Sequence, residues 1–162
     1  MIIHTFQEFC KFFRPGFPTL SIDYGSTKIG LAMSTPDYTM SMPLQIIRGE
    51  SEKKKLQEIV GITVDKNICA IVIGLPINMD STPSEQTLII EKFAEKLKNR
   101  TNLPIFLQDE RLTSRLADNL LKGFGLKRKE RNAQDDLVAA NLILETVLNT
   151  YNTFSKSSLI DQ

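Results

Sequence analysis

Residues 21–30 read SIDYGSTKIG and follow an apolar approach that ends at Leu20. The segment places one carboxylate, Asp23, at the end of an apolar strand and two residues before Gly25. Glycine adopts positive φ without steric cost, and Ser and Thr hydroxyls bond to nearby backbone, so residues 25–27 predict a tight turn into a return strand. An acid at the tip of a strand can hold a divalent cation or orient a phosphate. It can also simply accept hydrogen bonds from the amides of its own turn.

The composition indicates one soluble globular domain. A chain of 162 residues, 41% hydrophobic and 24% charged, can bury a two- or three-layer core. The net charge of +1 excludes a polycation, so any nucleic-acid surface must be a local basic patch. No apolar run approaches the roughly 20 residues that span a bilayer, and the N-terminus lacks the basic segment of a signal peptide. Cys10 and Cys69 show no metal-binding spacing, so we expect reduced thiols, a cytoplasmic setting and no membrane partner.

Hydrophobic periodicity predicts three strands followed by alternating helices and strands, after a short N-terminal helix. The predicted strands cover about 19–23, 28–34, 39–47, 68–73 and 104–108, and the predicted helices cover about 5–13, 51–64, 84–99, 114–122 and 130–150. This order predicts an α/β fold with a mixed five-stranded sheet and helices on both faces. We expect residues 1–18 to form an N-terminal helical extension, 19–150 the domain, and 151–162 a flexible C-terminal tail.

Two of these helices carry apolar stripes that are expected to pack on the sheet. One stripe comprises Leu56, Ile59, Val60 and Val64, and the other comprises Leu88, Ile89, Phe93 and Leu97. The run of three lysines at 53–55 is expected to lie on a solvated helix face.

Acidic residues stand where three elements meet one edge of the predicted sheet. Asp23 ends the first strand, and Asp109 and Glu110 end the last one, at the carboxyl edge where open α/β sheets build their sites. Asp136 lies four residues before Ala140 and extends the apolar stripe of the last helix by one turn toward the sheet. Since side chains alternate along a strand, only one of Asp109 and Glu110 can point squarely inward, and the sequence leaves that choice open.

A carboxylate that faces the core needs a partner, because an unpaired buried charge costs several kcal/mol. For Asp136 that partner is either a metal ion shared with the other acids or an ion pair with Arg111, Arg115 or a nearby lysine. Oxygen ligands without any His or Cys set suit Mg²⁺ or Mn²⁺. Two such cations about 3.5–4 Å apart stabilise the attacking and leaving oxygens of phosphodiester cleavage.

Basic residues cluster immediately before the last helix. Lys127, Arg128, Lys129 and Arg131 are the first candidates for phosphate contacts, although a solvated loop explains them equally well. Arg111 stands beside the acids and either contacts the scissile phosphate or pairs with Asp109, the second being favoured. Lys28, in the turn after Asp23, is a further candidate contact.

Four segments resemble, in order and spacing, the YqgF/RuvX family. They are Asp23-Tyr24-Gly25 with Lys28-Ile29-Gly30, then GLPINMD at 74–80, DERLTS at 109–114, and Asp136 with the apolar run through Leu144. The resemblance covers about residues 19–149. Members of this family are RNase H-like proteins described as Holliday-junction resolvases and as nucleases that process the 5′ end of pre-16S rRNA.

The resemblance implies an RNase H-like three-layer fold and a metal-dependent nuclease with catalytic Asp23, Asp109, Glu110 and Asp136. It implies that Asp23, Glu110 and Asp136 hold Mg²⁺ or Mn²⁺, with two ions expected, and that the partner is ribosomal precursor RNA or branched DNA. Family members usually carry Gly in place of Ser81 and often Lys in place of Leu137. The alternatives are a nucleic-acid-binding module that does not cleave and a sugar-kinase or actin-like phosphotransferase, which would need a second domain.

Overall fold

The computed structural model describes residues 1–49, 51–110 and 128–160, and within 128–136 and 158–160 it describes the helical backbone alone. The strands are β1 (Ile2–Ile3), β2 (Thr19–Tyr24), β3 (Lys28–Ser34), β4 (Ser41–Arg48), β5 (Ala70–Leu75) and β6 (Ile105–Asp109). The helices are α1 (Phe6–Cys10), α2 (Glu52–Asp65), α3 (Glu85–Lys98) and α4 (Arg128–Ile160). The helix predicted at 114–122 lies outside the described residues.

The strands form one mixed sheet in the order β1-β6-β5-β2-β3-β4. Strands β2, β5, β6 and β1 are parallel, and β3 runs antiparallel between β2 and β4. The predicted number of five strands is therefore wrong by one. Residues Ile2 and Ile3 pair with Ile105 and Phe106, and a two-residue strand is too short to show an alternating pattern in the sequence.

Helices cover both faces of the sheet, as predicted. One apolar cluster lies between the sheet and helices α2 and α3, and a second lies between the sheet and helices α1 and α4. Alternation along β5 divides the two clusters, since Ile71 and Ile73 face α2 and α3 while Ala70 and Val72 face α1 and α4. The site described below lies on the α4 face.

The packed face of α3 differs from the predicted stripe. Leu88 is 52% exposed and Ile89 is 40% exposed, whereas Ile90 and Ala94 are buried with Phe93 and Leu97. The helix is rotated because Thr87 faces the sheet: its hydroxyl donates to the carbonyl of Pro76, and it closes a capping box with Ser84. In α2, Val64 was predicted to lie in the packed stripe, but it is 71% exposed, and the neighbouring Thr63 is buried.

The last helix is longer than the predicted 130–150, because α4 extends from Arg128 to Ile160. Packing holds the added turns in place. The Tyr151 ring lies 4.6 Å from that of Phe13 and 5.4 Å from that of Tyr38, and Asn152 donates to the carbonyl of Tyr38. In the part of the chain that the structure describes, no helix is long and apolar enough to cross a membrane.

Candidate active site at the carboxyl edge of the sheet

Asp23 lies near the end of β2 on the face covered by α4. Ser21, two residues earlier and therefore on the same face, donates its hydroxyl to the carbonyl of Ala140 in α4 at 2.6 Å. The register partner of Asp23 in β3 is Gly30, which has no side chain to cover the carboxylate. The sequence thus places an acid on a central strand, opposite a residue that has no side chain.

The turn after Asp23 is as tight as predicted. A Cβ atom on Gly25 would lie 2.5 Å from the carbonyl oxygen of Lys28, so only glycine allows the chain to close here. A lysine of α2 also supports the turn. Lys55 is only 5% exposed, and its Nζ donates to the carbonyl of Ser26 at 3.3 Å. The expectation that Lys55 lies on a solvated face is therefore wrong.

The structure distinguishes between Asp109 and Glu110. Asp109 pairs with Leu75 as the last residue of β6, and the amide of Glu110 then donates to the Leu75 carbonyl at 3.1 Å. From this position the Glu110 side chain extends to Asp23, and the two carboxyl groups share a hydrogen bond. Glu110 is thus the acid of this pair that meets Asp23.

Gly74 provides the space that the Glu110 carboxylate occupies. A Cβ atom built on Gly74 would overlap the carboxylate, lying 2.7 Å from its Cδ, and would lie 2.6 Å from Cδ1 of Ile143 in α4. Glycine inside a strand commonly marks a close approach of this kind. Gly74 therefore lets the side chain of Glu110, the residue after β6, cross β5 and reach Asp23 in β2.

Burial and like charge together raise the pKa of Glu110 to about 7. The largest cause is burial, followed by the negative charge of Asp23, the hydrogen bond to Asp23 and the charge of Asp109. Two carboxyl oxygens share a hydrogen bond only when one of them is protonated, and the raised pKa of Glu110 favours a proton on Glu110 below about pH 7. A cation bound between the two carboxylates would take the place of that proton.

The donor set fits a hard divalent cation. Asp23 and Glu110 face each other with their carboxyl oxygens, and they repel each other when both are ionised. A cation between them would remove that repulsion, and carboxylates are the ligands that Mg²⁺ and Mn²⁺ prefer. Among the side chains that the structure describes, no group of three or more His, Cys, Asp or Glu residues is placed to hold a metal. A third ligand would have to come from the remaining residues, where Asp136 is the predicted one.

The course of α4 shows where Asp136 lies along the helix. Ala140 contacts Ser21, whereas Tyr151 and Asn152 contact Tyr38 beyond the opposite end of β3, so the helix starts at the carboxyl edge and runs away from it. Stepping back one turn from Ala140 moves about 5.4 Å, and stepping from Ser21 to Asp23 moves about 6.6 Å in the same direction. These rises predict that the backbone of Asp136 is level with Asp23, and its side chain lies outside the described residues.

The predicted basic contacts fall into two groups. Lys28 is the half-buried first residue of β3, next to the turn, where it pairs in register with Arg48 of β4. Arg111 and Lys127 lie outside the described residues, and Arg128, Lys129 and Arg131 belong to the first turn of α4 without described side chains. Their roles in nucleic-acid binding stay predictions.

The loop between β5 and α3 is held by its own side chains. Asn78 donates to the Thr82 hydroxyl at 3.1 Å, and Asp80 accepts hydrogen bonds from the amide and the hydroxyl of Thr82. Asn78 and Asp80 thus both stabilise this turn through Thr82. Ser81, which replaces the glycine usual in the resembling family, has φ of 71°, a conformation that glycine adopts more readily.

Three residues near the site were not singled out from the sequence: Gly74, Lys55 and Arg48. Gly74 interrupts a β-branched run, and that interruption is the signal that a close approach was required. Lys55 directly precedes the buried Leu56, but it stands in a run of three lysines, and such a run predicts an exposed helix face. Arg48 became visible only with the register of β3 and β4.

The five strands β4-β3-β2-β5-β6, with β3 reversed and helices on both faces, form an RNase H-like fold. Two neighbouring carboxyl groups, those of Asp23 and Glu110, lie at the carboxyl edge of its central strands. The family profile described as "RuvX: Holliday junction resolvase" matches residues 18–150. The chain belongs to this family.

Relatives with known names cover nearly the whole chain. A protein of Rickettsia bellii named "Putative pre-16S rRNA nuclease" is 52% identical over 152 residues, 94% of this chain and 99% of the relative. A protein of Rickettsia canadensis with the same name is 47% identical over 154 residues, 95% of this chain and all of the relative. Among solved structures, Thermus thermophilus RuvC with a Holliday junction substrate matches with a TM-score of 0.48 at 14% identity, covering 78% of this chain and 91% of RuvC.

Proposed function

We propose that this protein is a divalent-metal-dependent nuclease that hydrolyses phosphodiester bonds at the site formed by Asp23 and Glu110. The observation that carries the proposal is the hydrogen-bonded carboxyl pair beside Gly74, at the carboxyl edge of an RNase H-like sheet. A binding module that does not cleave would gain nothing from facing two acids toward a phosphate backbone, since like charges repel. The geometry therefore favours catalysis over binding alone.

Residues of the chain would hold the cations and keep the site in position. Asp23 and Glu110 would hold the cations, with Asp136 as the proposed third ligand and Asp109 adding negative charge nearby. Bound Mg²⁺ or Mn²⁺, two ions in this proposal, would lower the pKa of the attacking water and stabilise the leaving oxygen. Glu110 must lose its proton before it acts as a ligand, while Gly74 and the Lys55-supported turn hold the two carboxylates in position.

The proposed substrate is precursor 16S ribosomal RNA, cleaved during 5′-end processing. Support comes from the Rickettsia relatives, whose names give this substrate and whose length the chain matches almost completely. The second candidate is a four-way DNA junction, which the description of the matching family favours. Both are polyanions, so the basic residues Lys28, Arg128, Lys129 and Arg131 serve either one as phosphate contacts.

The cellular setting follows from the same proposal. Cys10 and Cys69 are both free thiols, and Cys69 is buried, as expected of a protein that works in the reducing cytoplasm. In the cytoplasm the protein would encounter ribosomal precursor RNA.

The proposal is tested by offering both substrates to the same preparation. A 5′-extended 16S precursor RNA and a synthetic four-way DNA junction are incubated with the protein in Mg²⁺, in Mn²⁺ and in excess chelator. We expect metal-dependent cleavage of the RNA at one or a few positions and none in chelator. Cleavage of the junction alone would replace RNA by branched DNA, and cleavage of neither would contradict the proposed activity.

A further inference from the structure

A buried serine hydroxyl joins the central strand β2 to the last helix. Ser21 is fully buried, and its Oγ donates to the carbonyl of Ala140 in α4 at 2.6 Å. The two residues that meet here come from distant parts of the sequence, and each lies a short step from a proposed metal ligand. The bond therefore connects the strand of Asp23 with the helix of Asp136.

Small residues at this crossing bring the helix backbone within reach of the serine. The register partner of Ser21 in β3 is Ala32, and both Ala32 and Ala140 are fully buried in the apolar cluster under α4. No side chain at this crossing is larger than that of serine. The α4 backbone can therefore lie close enough to the sheet for a hydroxyl on β2 to reach a helix carbonyl.

The hydrogen bond adds direction to a contact that is otherwise apolar. In an α-helix the carbonyl of Ala140 accepts the amide four residues further on, so the Ser21 hydroxyl uses its second lone pair. An alanine at position 21 would thus leave no helix carbonyl without a partner. Ile143 and Val147 hold α4 against the sheet by non-directional burial, whereas a hydrogen bond weakens steeply when its angle changes.

The position of α4 along β2 determines whether Asp136 can reach the acidic pair. Sliding the helix by one residue would move Asp136 by about 1.5 Å relative to Asp23. Metal–ligand distances tolerate only about 0.2 Å. A fixed point between Ser21 and Ala140, one step from each acid, is therefore well placed to set the distance between them.

We propose that Ser21 is a positioning residue of the metal site, which holds α4 where Asp136 can share a cation with Asp23 and Glu110. The inference rests on the proposed nuclease function and adds to it a residue that touches neither metal nor substrate. Loss of the hydroxyl should weaken metal binding and slow single-turnover cleavage. The affinity for RNA in the absence of metal should stay the same, because no group that contacts RNA is removed.

The first test measures Mn²⁺ binding by the full chain without RNA at pH 8, above the pKa of Glu110. We expect Ser21→Ala to raise the Kd for Mn²⁺ about tenfold, as is typical when a residue that supports a metal ligand is lost. Ser34→Ala is the matched control, since Ser34 is also fully buried and accepts a hydrogen bond from the amide of Thr19 at 2.9 Å. Thr19 lies about 13 Å along β2 from Asp23, so the control should lower stability without changing the Kd.

A double-mutant cycle identifies the group through which Ser21 acts. In the Asp136→Asn background, Ser21→Ala should raise the Kd for Mn²⁺ by no more than about twofold, because the ligand that α4 carries is already absent. An unchanged Kd in Ser21→Ala alone, an equal change in Ser34→Ala, or a tenfold change in the Asp136→Asn background would overturn the inference while wild-type cleavage persists. A wild type that neither binds Mn²⁺ nor cleaves RNA would overturn the proposed function itself.

Discussion

The carboxylate of Glu110 lies directly against the backbone of Gly74, in the space that any larger residue would fill with its Cβ atom. Because of this contact, the side chain of Glu110, which follows β6, passes over β5 and forms its hydrogen bond with Asp23 in β2. The absence of a side chain at Gly74 in β5 thus allows Glu110 and Asp23 to meet.

Replacing Gly74 with Ala should therefore separate the acids. The added methyl group would overlap Glu110 and press on Ile143, so the carboxylate must move away from Asp23. We expect cleavage to fall at least about 100-fold, because displacement by 1 Å is enough for such a loss. Single-turnover cleavage measures the effect. Gly61→Ala is the control: nothing lies within 4 Å of its added Cβ in α2, so activity should persist and stability should rise by about 0.5–1 kcal/mol.

The raised pKa of Glu110 predicts a pH-dependent stability for the metal-free protein. A glutamate titrates near 4.5 when unfolded, and Glu110 titrates at about 7 when folded, so the native state binds more protons between these values. The free energy of unfolding should therefore decrease as pH rises from about 4.5 to about 7, by about 3 kcal/mol in all.

Glu110→Gln removes that dependence while keeping a group that can donate to Asp23. In chelator, denaturant unfolding at pH 5 and pH 8 should show a smaller decrease for Glu110→Gln than for the wild type. Added Mg²⁺ should stabilise the wild type at pH 8 and not this variant. Identical pH profiles for the two proteins would show that Glu110 does not titrate as described.

The buried Lys55 should matter for the geometry of the Asp23 turn. Lys55→Met keeps the length and apolar stem of the side chain but removes the donor to the Ser26 carbonyl. We expect a loss of about 1–3 kcal/mol in stability and a reduced cleavage rate, because the turn loses a hydrogen bond from a charged donor. Lys53→Met, at an exposed position of the same helix, should change neither stability nor rate. Equal effects from both variants would assign the loss to net charge.

Ser81 offers a stabilising substitution. Its φ of 71° costs a side-chain-bearing residue about 1 kcal/mol, which Ser81→Gly would remove, partly offset by greater freedom in the unfolded chain. Thermal unfolding should show a small increase in midpoint. Asn67, at φ 55°, is the comparison, since asparagine tolerates this region and Asn67→Gly should gain less. A larger gain at Asn67 than at Ser81 would contradict this explanation.

The sequence predicted the parts of the site that depend on local pattern. The strand and turn around Asp23 and the acids at the end of β6 follow from glycine, alternation and strand ends. The choice of Glu110 over Asp109 depends on the path of the chain after β6, which no local pattern encodes. The break in the β-branched run at Gly74 indicates a close approach there but does not say which side chain makes it. The rotated face of α3 and the added turns of α4 likewise depend on distant partners, Pro76 for the first and Tyr38 for the second.

The most direct test of the metal-dependent site is single-turnover cleavage of 5′-extended 16S precursor RNA by the wild type, Asp23→Asn and Glu110→Gln. All three proteins are first shown to be folded by circular dichroism and are then assayed in Mg²⁺ at pH 8. We predict cleavage by the wild type that chelator abolishes, and a loss of at least about 100-fold in each variant. Cleavage by either variant at the wild-type rate would contradict the assignment of the active site to Asp23 and Glu110.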